Sequence, residues 1–383
     1  MASSIPFKAM RCGTFKRVSI DVRRPLVVDL FAGAGGLSLG LEQAGFDIAA
    51  AVEYDPVHAA VHEYNFPYGK TFARNVATIS GREIREKSDI RDQEIALVAG
   101  GPPCQGFSLI GKLAIDDPRN ALLKEYVRLV VELKPRYCLM ENVSGLVVGK
   151  HRQLLDEVIA LLRDGGYRIL EPYRVLQAAD YGTPQSRKRM ILLGARSDVP
   201  LPDYPAPTVT PRSIKGTIVT STDLPIGPSV REAIEDIPDA DSFEELLHVD
   251  SVNTKWPLSA SLYSKYLRGE KSDPLDFSRP RPLTPELLSS SARTIHTEKS
   301  ITRFEQTEPG TTEPISRFLR LHPDGICNTL RAGTASDRGA VCHPRPGQGR
   351  LRRDWHHSSR TGLGCLFSAM AGHDRTSCRS TVC

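Results

Sequence analysis

Leu26-Val27-Val28-Asp29-Leu30-Phe31-Ala32-Gly33-Ala34-Gly35-Gly36 is the stretch that decides the fold. A short apolar run ends in a glycine-rich turn, and an amphipathic stretch from Leu37 to Ala44 follows. Bounded by glycines, the run reads as a buried strand and the stretch behind it as a helix. Glycines at such a turn let backbone N–H groups approach a ligand at the helix N-terminus. The next strand, Ile48 to Val52, closes with Glu53, which is suited to holding ribose hydroxyls, and Tyr54 is suited to stacking on an adenine ring. The spacing is not G-x-G-x-x-G, which disfavours a nicotinamide cofactor. A plain tight turn followed by an incidental Glu is the alternative.

The same alternation runs outward along the chain. Apolar runs at Ile95–Ala99, Tyr137–Met140 and Arg189–Leu193 read as strands, and Leu122–Leu133 and Leu154–Leu162 carry helical spacing. Strand–helix alternation predicts an α/β fold with a doubly wound, mostly parallel sheet, whose ligands sit beyond the carboxyl ends of the strands. Near residue 198 the composition changes. Pro200, Pro202, Pro205, Pro207 and Pro211 crowd into a linker. Periodicity is weak from there to about residue 330, which predicts a second, smaller, irregular domain.

Three polar motifs begin where strands end. In Gly101-Pro102-Pro103-Cys104-Gln105-Gly106-Phe107-Ser108, two prolines fix the backbone just before a cysteine, a frame that an inert packing cysteine does not need. Glu141-Asn142-Val143 places a carboxylate at the end of another strand. A carboxyl among apolar neighbours holds its proton toward neutrality and can donate it; a solvated strand-end Glu is the bland reading. In Gln185-x-Arg187-x-Arg189 alternation puts both arginines on one side, ready to fork onto a phosphate or a base carbonyl. By itself that motif reads better as a solvated basic edge.

Taken together and in this order, these residues resemble the cytosine-C5 DNA methyltransferases. The matching pieces are DLFAGAGGLSLGLEQAGF (29–46), VEYDP (52–56), GGPPCQGFS (100–108), MENV (140–143) and DYGTPQSRKR (180–189). The resemblance implies S-adenosylmethionine as cofactor, with Phe31, Gly33, Gly35, Gly36, Glu53, Tyr54, Asn75 and Pro103 lining its pocket. The family usually has Asp where Asn75 stands; Asn still accepts through its carbonyl. Cys104 is implied as the nucleophile, Glu141 as the proton donor to N3, and Arg189, supported by Arg187, as the group holding the base carbonyl. Gln105, Ser108, Lys112, Arg119 and Thr329 would face DNA from which the target cytosine is flipped. The implied partner is double-stranded DNA, with a restriction endonuclease as functional counterpart and the chain a monomer in the bacterial cytoplasm. A remnant that binds DNA or cofactor without turnover and a tRNA cytosine-5 methyltransferase are the competing readings. The implied organisation is an N-terminal extension (1–24), a catalytic and cofactor-binding domain (25–198), a target-recognition region (199–340) and an atypical basic tail (341–383).

Composition bounds the rest. Hydrophobic residues are 40% and charged residues 25% of the 383, an ordinary globular mix that excludes wholesale disorder. No apolar run approaches the ~20 residues needed to span a bilayer. Lys+Arg number 50 and Asp+Glu 45, and the tail alone, with seven Arg and two Asp, accounts for the whole excess of +5. Net charge therefore says little about the body's affinity for nucleic acid. No cysteine pair has C-x-x-C spacing, so no zinc site is expected. The tail lacks Glu, Lys, Ile and Tyr but holds four Cys and four His, and the family's closing motifs do not occur in it. This abrupt change points to a shifted reading frame from about Val341, a basic DNA-binding tail being the alternative. Translating the coding DNA in the other two frames tests it: failure to recover those motifs in either frame ends the idea.

Overall fold

The computed structural model describes residues 24–103, 121–149, 152–219, 222–259, 261–281, 286–289, 291, 293 and 297–330, together with the backbone of 341–342. Five strands pair in parallel in the order β3-β2-β1-β4-β5: β1 (Leu26–Leu30), β2 (Asp47–Glu53), β3 (Lys70–Ala73), β4 (Ile95–Gly100) and β5 (Tyr137–Val143). β6 (Tyr167–Ile169), β7 (Arg174–Gln177) and β8 (Lys188–Arg196) complete the sheet. β8 is antiparallel to β5, and β6 and β7 are antiparallel to β8, so β8 runs against the other seven. The mostly parallel, doubly wound sheet expected from the sequence is present.

Central strands are enclosed on both faces, and their sequences are largely apolar, as parallel sheets require. All six residues of β4 are buried. Val28 and Leu30 of β1 enter one core layer with Leu123, Val127 and Val130 of α4 (Ala121–Leu133) and Leu155, Val158 and Leu162 of α5 (Arg152–Asp164). Those helical residues recur at three- and four-residue spacing, so each helix turns one apolar stripe to the sheet. Val27, just before Val28 on β1, points the other way into a second layer with Leu37 and Leu41 of α1 (Gly36–Gln43) and with Phe66. On α2 (Pro56–Asn65) the Asp55 carboxylate accepts from Val57 and His58 N–H, and Pro56 stands at the first helical position. Asp55-Pro56 is thus a helix start, with a missing N–H where none is needed. α3 (Gly81–Lys87) adds its fully buried Ile84 to the first layer.

Beyond residue 198 the elements are short: α6 (Val230–Ile234), α7 (Leu262–Arg268) and α8 (Glu298–Gln306), with two-residue strand pairs. Apolar clusters are small here, and buried polar anchors take over. Asp236, 1% exposed, accepts from Arg268 and from Ser259 Oγ. Arg320 donates to the carbonyls of Phe304, Glu305 and Thr307, closing the C-terminus of α8. This region leaves β8 with Tyr204 Oη on the Ile191 carbonyl and with Thr208 and Val209 N–H on the Asp180 carbonyl. It returns where Cys327 N–H donates to the Pro184 carbonyl and Ser186 N–H to the Cys327 carbonyl. Arg24, read above as the last residue of an extension, is anchored to the body by the carbonyls of Gly45, Glu42 and Phe46. Among the described residues no helix is long and apolar enough to cross a membrane.

Candidate active site

β1, β2, β4 and β5 deliver their C-terminal ends to one edge of the sheet, and the reversed β8 delivers its N-terminal end to the same edge. In the β5–β8 register Val143 pairs with Arg189 and Glu141 with Ile191. That places Glu141, Arg187 and Arg189 together, each with a largely buried side chain. Arg189 Nε lies 2.8 Å from Glu141 Oε1 and Arg187 Nη2 lies 3.8 Å from it. The close contact is an ion pair by distance only, because among the described residues Oε1 accepts no aligned hydrogen bond. Glu141 therefore stands beside two guanidinium groups, where the sequence suggested apolar neighbours. Arg187 Nε is also buried without a partner, and its backbone N–H is held by Gln177 Oε1 at 2.7 Å. Burial first, then repulsion from Arg189, brings the Arg187 pKa down to about 10, with Glu141 pulling the other way. One carboxylate facing two arginines leaves a net positive, donor-rich pocket, suited to an electron-rich carbonyl.

The Glu141 carboxylate also faces the turn after β4. A Cβ on Gly101 would stand 3.2 Å from Oε2, so the bare backbone is what lets that turn pass so close. Asn142, quoted above without a role, ties the two strand ends: its Nδ2 donates to the Pro102 carbonyl at 3.2 Å, and its Oδ1 accepts from Val143 N–H. Cys104, Gln105, Ser108, Lys112 and Arg119 lie outside the described residues. Pro103, half-buried, is the last residue described before Cys104. Cys138 and Cys327 are buried, and burial pushes both thiols to about 12, so neither is a thiolate at neutral pH. Thr329 Oγ1 donates to the Ser186 carbonyl at 2.7 Å, which spends that hydroxyl's proton on anchoring the returning segment beside Arg187.

The glycine-rich turn forms the neighbouring part of the edge. Phe31, Gly33 and Gly35 all have positive φ (61°, 55° and 99°). A Cβ on Gly35 would collide with the Phe66 ring. Glu53 takes the Gly33 N–H on Oε2 at 2.7 Å and the Asp55 N–H on Oε1 at 2.9 Å. The Tyr54 ring is 75% exposed. Asn75 caps a short helical turn, its Oδ1 accepting from Ala77 N–H at 3.0 Å. Its carbonyl is thus partly committed to the backbone. Beneath the turn runs a buried polar chain that sequence reading missed: Ser38 Oγ contacts Asp29 Oδ2 (2.6 Å) and His62 Nε2 (2.9 Å), and His62 Nδ1 contacts Thr71 Oγ1 (3.0 Å). Burial raises the Asp29 carboxyl to about 7 and lowers His62 to about 4.

A model of the C-5 cytosine-specific DNA methylase family matches residues 26–304. The chain belongs to that family. Members of it share this chain's sequence to different extents. Type II methyltransferase M.XorII of Xanthomonas oryzae pv. oryzae is 54% identical over 323 residues, 84% of this chain and 72% of that protein. Type II methyltransferase M.SacI of Streptomyces achromogenes is 35% identical over 238 residues, 58% of this chain and 60% of that protein. Among solved structures, an E. coli prophage protein assigned as a DNA modification methyltransferase superposes with a TM-score of 0.66 at 26% identity, covering 91% of this chain and 97% of that one.

The residues at the glycine-rich turn fit the methyl donor this family implies. Glu53 has both oxygens oriented by backbone donors and keeps lone pairs for a vicinal diol. The space over Gly33 is open, with nothing within 4 Å of where a Cβ would stand. The exposed Tyr54 ring offers a flat apolar face beside it.

Proposed function

We propose that this chain methylates carbon 5 of a cytosine flipped out of a specific duplex DNA site, as the modification half of a Type II restriction–modification pair. The observation that carries the site assignment is the Glu141 carboxylate, held between Arg189 and the Gly101–Pro103 turn that leads into Cys104. Residues 199–340 are read as the target-recognition region, the protein as a bacterial cytoplasmic monomer, and duplex DNA as the partner.

Carbon 5 of cytosine is a weak nucleophile. Cys104 adds its thiolate sulfur to C6 while Glu141 gives a proton to N3, and the ring becomes an enamine that is nucleophilic at C5. Arg189, backed by Arg187, holds the base carbonyl and accepts the charge that gathers there. Splitting the substitution into an addition and an elimination lowers the barrier to each. After C5 is methylated, a base removes its proton, the C6–sulfur bond breaks, and the thiolate returns. S-adenosylmethionine, when bound, supplies the electrophilic methyl group. Glu53 would hold its ribose hydroxyls and Tyr54 would stack on its adenine, with Phe31 and the Gly33–Gly36 backbone lining the same pocket.

The test is a duplex bearing 5-fluorocytosine, whose C5 cannot release fluorine as a cation. The wild-type protein with S-adenosylmethionine should form a denaturant-stable adduct with this duplex, and Cys104→Ser should form none. A Cys104→Ser protein that still traps the duplex, or a wild type that methylates tRNA but not duplex DNA, refutes the reading.

A further inference from the structure

The segment Asp276–Arg281, from the region after β8, lies as a strap across the far end of α1 and α2. Phe277 N–H donates to the Gln43 carbonyl, Gln43 Nε2 donates to Asp276 Oδ2, and Arg279 makes a two-pronged pair with Asp47. Arg281 goes deeper. Its Nη2 meets Glu42 Oε2 at 2.5 Å, its Nε donates to the Asn65 carbonyl at 3.1 Å, and its guanidinium sits over the Phe66 ring, 5.0 Å from the centroid. Glu42 is only 4% exposed.

Two routes lead from this one side chain to the glycine-rich turn. Asn65, whose carbonyl Arg281 holds, donates from Nδ2 to the Ala34 carbonyl at 3.1 Å. Phe66, whose face Arg281 covers, fills the space that a side chain on Gly35 would need. Ala34 and Gly35 lie between Gly33 and α1, in the backbone assigned above to the methyl donor. Arg279 has no such route: it rests on Tyr68, 4.7 Å from the ring centroid, and on Asp47.

We propose that Arg281 is a positioning residue for the S-adenosylmethionine site, acting through Asn65 and Phe66 to hold the Ala34–Gly35 backbone. The region that follows the catalytic sheet thereby sets the affinity of the methyl-donor pocket. The inference rests on the assignment of that pocket under the proposed function. A planar fork that stacks and donates at once is a task for Arg; Lys keeps the charge for Glu42 but cannot do both.

The experiment compares four full-length proteins, wild type, Arg281→Gln, Arg281→Lys and Arg279→Gln, by calorimetric titration with S-adenosylmethionine without DNA. Hydrogen exchange of the Ala34–Gly36 amides is followed in the ligand-free proteins. Arg281→Gln should bind the donor about tenfold more weakly and exchange those amides faster, within the range of ordinary site-to-site coupling. Arg281→Lys should fall between, and it carries the test if Arg281→Gln does not fold. Arg279→Gln should lower the melting temperature yet leave donor affinity within about twofold of wild type, because it breaks the strap but neither route. Duplex affinity should not separate the variants. Equal donor affinity in wild type and both Arg281 variants overturns the proposal. So does a loss in Arg279→Gln that matches Arg281→Gln, since the strap would then act by stability alone. A wild type that does not bind S-adenosylmethionine fails the pocket assignment instead, and is told apart by that measurement.

Discussion

From β1 to β8, Val28, Leu30, Val98 and Met140 share one continuous buried layer with three helices, whereas among the described residues after 198 the largest cluster of buried apolar residues gathers Val230, Ile234, Leu319, Leu321 and Cys327. The first region is held by area removed from water; the second is held by anchored charges such as Arg268–Asp236 and by arginines capping carbonyls. Glu141, Arg187 and Arg189 sit on the first kind of scaffold, where packing leaves little slack. In the second, discrete polar anchors leave the residues between them free to change.

The sharpest way to break this division is at the sheet edge. Glu141→Gln should lower methyl transfer by about 10²–10⁴-fold, the usual worth of a positioned acid, with duplex affinity retained. Steady-state rates and a gel shift on the same preparation check it, and a parallel fall in DNA binding would place Glu141 in recognition. Next in size, Leu129→Ala in the continuous layer should cost about 3 kcal/mol in urea unfolding, while Leu246→Ala, in a cluster of three buried residues, should cost less than about 2 kcal/mol because its surroundings collapse more easily. Equal losses would mean that the two regions pack alike.

Arg268→Gln strips the buried Asp236 of its ion pair. A fully buried pair would lose more, but Arg268 is partly exposed, so a loss of about 2 kcal/mol is expected, confined to the second region. Proteolysis that cuts after residue 198 before the sheet loosens would register it. The last prediction concerns pH. Asp29 titrates near 7 when folded, against 3.8 for the free side chain. The native state then holds the extra proton between about pH 4 and 7, and stability falls as pH rises through that window. His62, lowered from 6.5 to about 4, works in the opposite sense over nearly the same range. The two largely offset in the wild type. Asp29→Asn removes one of them, so its stability relative to wild type should grow by on the order of 2 kcal/mol from pH 5 to pH 7.5. A constant difference across that range would show that Asp29 is ionised throughout.

The long central elements were legible because their residues repeat at the period of the element they form: β4 is apolar throughout, and α4 and α5 carry a single stripe. β3 and β6 were not, since Lys-Thr-Phe-Ala and Tyr-Arg-Ile are too short for a period to show and each carries a charged residue. α2 has too little apolar contrast to declare itself, although Asp55-Pro56 was the available signal of its start. At the site, Glu53, Glu141, Arg187 and Arg189 could be picked out because each stands at a strand end. The neighbours of Glu141 could not, because its two guanidiniums arrive on a reversed strand some fifty residues later in the chain. The cap made by Asn75 was likewise hidden, since a side chain shows its type in sequence but not which backbone donor it turns to. Arg281, Asn65 and Phe66 meet only through tertiary folding across more than two hundred residues.

The reversal of β8 has a topological consequence. Because that strand starts at the edge that carries Glu141 and finishes at the opposite one, the polypeptide quits the sheet on the floor and must climb back to reach the first edge again. It does so between two fixed joints, Thr208 on Asp180 at departure and Cys327 against Pro184 and Ser186 on arrival. Between them the Asp276–Arg281 strap is a third tie to the frame, through Gln43, Asp47 and Glu42. A segment exchanged with a relative should therefore be cut just inside those two joints and should spare the strap, so that all three ties stay with the frame.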